Sequence, residues 1–116
     1  FSSRNSVKRA KINLERSKNS LDQQKLDLES TINQAYNDTR GAYKFYEASQ
    51  KTVKSRKIAF DNTQNRFRAG AMNSFDYVQA KQRYEQSLSD LIRAKFDYIF
   101  KLKVVEFYFG IPLEIK

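Results

Sequence analysis

The chain contains no cysteine and no histidine, a single proline and only three glycines in 116 residues. Without cysteine or histidine there is no disulfide, no thiol nucleophile, no zinc finger and no imidazole base. Missing cysteine does not by itself separate an oxidising compartment from a reducing one. Ordinary proteins carry roughly 7% glycine and 5% proline, and sheets or turn-rich folds depend on that punctuation. Most of these residues must therefore lie in very few, very long elements. Mean hydropathy is −0.78, and no run approaches the roughly 18 apolar residues of a membrane-spanning helix. The first residues, Phe1-Ser2-Ser3-Arg4, carry no signal peptide, so the expectation is a mature fragment or an excised piece. These absences argue against an enzyme.

Charge is plentiful and lopsided. Lysine and arginine number 22 against 13 aspartates and glutamates, a formal +9. Up to Met72 the tally is 15 basic to 7 acidic, and from Asn73 onward it is 7 to 6. The excess sits on the first segment, where it reads first as a solvated helix face. The same field would also attract nucleic acid, anionic lipid or an acidic protein.

Apolar residues repeat at seven from Arg4 to about Arg68. Val7, Leu14, Leu21, Leu28, Ala35 and Ala42 make one row. Ile32, Thr39, Tyr46, Val53, Phe60 and Phe67 make a second, offset by four. Where both run, spacing alternates between four and three, the seam of a left-handed coiled coil. Before Ile32 the second row reads Lys11, Lys18, Lys25, leaving a single stripe with a basic flank. Gly70 then fits a helix stop, Asn73 or Ser74 fits the next N-cap, and Asp76 falls in the following first turn. Stop, link and start spell an αα-hairpin with its tip at 69–74.

A second helix is predicted from about Phe75 to Phe109. Tyr77, Tyr84, Leu91, Tyr98 and Val105 repeat at seven, Leu88, Leu102 and Phe109 are expected to complete the seam, and Val78, Ile92 and Ile99 add a neighbouring row. Gly110-Ile111-Pro112 is a strong stop, and Leu113 to Lys116 read as the start of another segment. By length the first helix would span roughly 97 Å and the second roughly 52 Å. Roughly 40 Å of the first helix would then lack a partner in this chain, although Val7 to Leu28 form an apolar row there. The expectation is an all-α, long antiparallel coiled-coil hairpin that needs helices from outside itself. The alternative is a break near Asp38-Thr39-Arg40-Gly41, giving a self-sufficient three-helix bundle.

Active-site constellations are scarce. Asp22, Asp27 and Glu29, and Asp90 with Asp97, are carboxylates at helical spacings without partners that would complete a metal or catalytic set. No phosphate-cradling glycine loop or nucleophile elbow occurs. No catalytic residue, cofactor or metal site is assigned. The basic residues do not form the compact basic region of a zipper protein, so no nucleic acid is expected. Sixteen Phe and Tyr serve either as seam filling or as contacts between neighbouring hairpins, and the two are compatible.

At the turn and second helix the sequence resembles the TolC-type outer-membrane efflux proteins. The string is Phe67-Arg68-Ala69-Gly70, then Ser74-Phe75-Asp76-Tyr77-Val78-Gln79-Ala80, followed by Tyr84, Leu88, Ala94, Tyr98, Leu102 and Gly110. Phe1-Ser2-Ser3-Arg4 resembles the stretch just after that family's last outer-membrane strand. The resemblance implies a homotrimer, each protomer giving strands to an outer-membrane β-barrel and long helices to a periplasmic α-barrel. This chain would be the C-terminal periplasmic hairpin of one protomer, a passive export conduit held in the outer membrane by strands it lacks. Gly70, Ala71, Met72, Asn73 and Ser74 would meet the periplasmic adaptor (membrane-fusion) protein. Phe67, Asp76 and Gln79 would line the entrance. Three copies of Asp76 would favour cations and respond to pH, unless Asp76 is simply a helix N-terminal charge. Phe67 stands where the family can use a hydrogen-bonding Tyr, Met72 where it can use Arg, and Gln79 where it can use a second Asp.

The classes part on three features. A channel segment has β-strands and a similar hairpin elsewhere in its parent protein. A free-standing scaffold that binds a helical partner folds independently of concentration. A helical module that binds anions through its +9 charge shows a steep salt slope.

Overall fold

A computed structural model describes residues 2–110. It contains two helices, α1 (Ser2–Arg68) and α2 (Ser74–Tyr108), joined by a short tip. Helix α1 passes through Asp38 to Gly41 without interruption. The three-helix alternative is thereby overturned. The reason is local: Gly41 lies in a helix interior, where it costs about 1 kcal/mol relative to Ala but supplies no turn without a cap or proline beside it. The expectations for Phe1, Ile111-Pro112 and Leu113 to Lys116 lie outside the described residues.

The chain divides into two units, residues 1–34 and 35–116. The first is a stretch of single helix. Every described residue from Ser2 to Thr31 is exposed, and Val7, Leu14, Leu21 and Leu28 are between 52% and 62% exposed. Nothing among the described residues covers that row.

The second unit is an antiparallel hairpin whose core is the interhelical seam. Its buried residues are Thr39, Ala42 and Ser49 on α1 and Ser87, Ala94 and Val105 on α2. Between them lie half-buried Tyr46, Val53, Phe60, Tyr77, Tyr84, Leu91 and Tyr98. Ring contacts and one hydrogen bond fix the register. Phe60 sits between Tyr77 and Tyr84, at centroid distances of 5.8 and 5.7 Å. Tyr98 packs against Tyr43 and Tyr46 at 5.2 and 6.1 Å. The Thr39 hydroxyl lies 3.1 Å from the carbonyl oxygen of Lys101 on α2 and 2.8 Å from that of Ala35. In this register rings stack on rings across the seam, Phe60 on Tyr84, Tyr46 on Tyr98 and Phe67 on Tyr77, with the small buried residues Ala42, Ser87 and Ala94 between them along the helices. Small residues let the backbones approach while the rings fill the flanks.

One expectation about α2 is corrected here. The row that completes its seam is Ala80, Ser87, Ala94, three residues after Tyr77, Tyr84 and Leu91, with Ser87 and Ala94 buried. Leu88 and Leu102 are half-buried, as Ala80 is, whereas Phe109 is 61% exposed and does not complete the seam. Ser87 tolerates burial because its hydroxyl donates to the Tyr84 carbonyl at 2.6 Å.

Candidate functional site

The tip is built by two complementary caps. Gly70 has φ +77°, and its N–H donates to the Phe67 carbonyl at 3.0 Å while the Ala71 N–H donates to Arg66 at 2.9 Å. These two bonds make a Schellman stop, which needs a left-handed residue at the Gly70 position. Arg66 and Arg68 lie in the last turn of α1, where cations suit the helix dipole. Of the two candidate N-caps it is Asn73 that acts: its backbone is extended, and its side-chain oxygen accepts from the Asp76 N–H at 2.9 Å. Ser74 is the exposed first residue of α2.

The residues expected at the entrance do not all meet. Met72, Asp76 and Gln79 line one cavity of about 250 Å³, together with Arg56, Ala59, Thr63, Ala80 and Arg83. Phe67 is absent from it and stacks on Tyr77 across the seam, centroids 4.6 Å apart. Gln79, Arg56 and Arg83 continue into a larger groove of about 670 Å³ that also takes in Thr52, Glu85, Gln86, Ser87 and Asp90. A third hollow of about 180 Å³ shares Thr52, Ser87 and Asp90 and reaches Phe45. One side of the hairpin is thus a continuous polar groove running from the tip.

Arg56 and Arg83 are the residues that sequence reasoning passed over. The signal was available, because Arg56 lies fourteen residues after Ala42 in the same seven-residue row, where its neighbours are Ala35, Ala42, Ser49 and Thr63. A long cation in a row of small residues has to leave the seam, and it does so into the groove. Among the described residues, no ion pair engages Arg56 or Arg83, the salt bridges being Lys101–Asp97 and Lys103–Glu106. No cluster able to hold a metal ion occurs among the described residues, and no described helix is long and apolar enough to cross a membrane.

The back of α2 is apolar: Ile92, Phe96, Phe100 and Phe107 are between 55% and 68% exposed. A hairpin with a contiguous exposed apolar edge belongs to the class of helical elements that carry an interaction surface. The comparison with protein families is more specific. Residues 1–102 match the outer membrane efflux protein family, and the chain belongs to it. It is a component of an outer-membrane efflux channel. No curated protein and no solved structure matches the chain.

Proposed function

We propose that this chain is the C-terminal periplasmic hairpin of one protomer of a trimeric efflux channel, where it forms part of the tunnel wall and docks an adaptor protein through its tip. The observation that carries the reading is the uncovered row Val7, Leu14, Leu21 and Leu28. Fully burying such a side chain is worth about 1.5 to 3 kcal/mol, and a row of them at heptad spacing fits another helix. The exposed phenylalanines on the back of α2 suit a neighbouring hairpin in the same way. The work is passive: the helices are wall, and export proceeds through the space they enclose.

Gly70 to Ser74 form the docking surface for the adaptor. The capped turn presents Ala71, Asn73 and Ser74 to solvent in one fixed conformation, which lowers the ordering loss on binding. Asp76 and Gln79 line the entrance from the polar groove, and Phe67 supports that wall from the seam through Tyr77.

The experiment is made on the full-length protein. Leu14→Lys with Leu21→Lys should abolish trimers trapped by chemical crosslinking and raise susceptibility to exported compounds. Ala71→Cys carrying a short photo-crosslinker should capture the adaptor. Normal trimers and transport in the lysine variant would remove the basis of the reading.

A further inference from the structure

The seam of the hairpin is written in two rows. A large residue is followed three positions later by a small one, as in Tyr46/Ser49 on α1 and Tyr84/Ser87 and Leu91/Ala94 on α2, and Ser49, Ser87 and Ala94 are buried. The exposed stretch of α1 repeats this pattern as Val7/Ala10, Leu14/Ser17 and Leu28/Thr31, with Gln24 the one larger residue in the second row. Both rows step by four instead of seven where they run into the hairpin, from Leu28 to Ile32 and from Thr31 to Ala35. Such a step changes the local winding of a coiled coil, and α1 itself continues unbroken. The pattern of the established seam thus carries on along the uncovered helix.

The Val7 to Leu28 row has two unlike flanks. One is the small row. The other is Lys11, Lys18 and Lys25, each with a carboxylate four positions on, at Glu15, Asp22 and Glu29. A helix seated on the charged flank would bury long ionised side chains, which is costly unless every charge finds a partner. The small flank asks for nothing of the kind. The Thr31 hydroxyl already donates to the Asp27 carbonyl at 2.8 Å, as buried Ser87 donates to Tyr84 at 2.6 Å, so covering it leaves no bond unmade.

We infer that the helix covering this stretch seats on the Val7 to Leu28 row and the small row beside it, leaving the lysine row in water at the rim. The inference deepens the wall reading and rests on it. The occupant presents an uncharged face with large and small residues in the same alternation, and it runs antiparallel to α1, because that is how α1 and α2 pair through this pattern. It is not a second copy of the stretch, since copies set around one threefold axis along the wall run in the same direction. It comes from another part of the parent protein.

The test is maleimide labelling of the full-length protein in its membrane, one added cysteine at a time, scored on the labelled peptide by mass spectrometry. Leu14→Cys and Ser17→Cys should label about tenfold slower, or more, than the same variants unfolded in urea, because reaction there waits on local opening. Lys18→Cys should label nearly as fast as its unfolded form. Ser17 and Lys18 are adjacent in the helix, so they share one depth in the wall and differ in face. A protected Leu14→Cys with an open Ser17→Cys, or with a protected Lys18→Cys, overturns the inference and leaves the wall reading standing. An open Leu14→Cys means that no helix covers the row, which overturns the wall reading and this inference with it.

Discussion

The same substitution at two glycines should have opposite signs. Gly41 lies inside α1, and Gly70 ends it with φ +77°. A Cβ built on either meets nothing within 4 Å, so packing drops out and backbone conformation alone decides. Gly41→Ala should stabilise the protein by about 1 kcal/mol, the difference in helix propensity between the two residues. Gly70→Ala forces an L-residue into the left-handed region and should destabilise by about 1 to 2 kcal/mol. For a hairpin of this size each kcal/mol moves the melting midpoint by about 4 to 8 °C, so the two variants should separate by about 8 °C or more. Circular dichroism at 222 nm, with thermal and urea midpoints taken at one protein concentration, reads this directly. Shifts of the same sign would refute the reasoning. A loss at Gly41 would mean that α1 breaks there, and no loss at Gly70 would mean that the tip does not close through a left-handed residue.

Three further variants probe separate contributions. Asn73→Ala removes the α2 cap and should lower stability by about 1 kcal/mol, with Asn73→Asp largely restoring it, in the same unfolding assay. Ala94→Leu places an isobutyl group where the native residue is 3% exposed, and overpacking should cost about 1 to 3 kcal/mol by urea midpoint. Thr39→Val keeps the shape but deletes the hydroxyl that reaches the Lys101 carbonyl, and should cost about 1 kcal/mol. An unchanged midpoint in that variant would show that the hydroxyl spends its bond on Ala35.

The parts of the fold legible in the sequence are those written in large apolar residues and in caps. Gly70 and Asn73 carry their conformations in their chemistry, so the tip could be read directly. The Ile32 to Phe67 row and the Tyr77 to Val105 row could be read from their period. The other half of the α2 seam could not, because Ala80, Ser87 and Ala94 are small and one of them is polar. A search for apolar side chains lands on Leu88 and Leu102 instead, although a seam of close backbones selects for size before hydropathy. The groove was hidden for a related reason. Arg56 and Arg83 lie 27 positions apart in the sequence, and only the register of the hairpin brings them to one cavity. Phe67 belongs to both patterns, standing in the family string and, by its place in the heptad, against Tyr77.

The alternation of bulky and slight side chains along each helix works like a toothed rack. Shifting one helix along the other by half a repeat would part the stacked pairs Phe60–Tyr84 and Tyr46–Tyr98 and leave voids, so gradual sliding meets a barrier at every step. Movement at the tip therefore has to come from swinging the hairpin as one stiff lever. Force applied at Gly70 to Ser74 would be delivered, undiminished by slippage, to wherever Thr39 and Val105 are anchored.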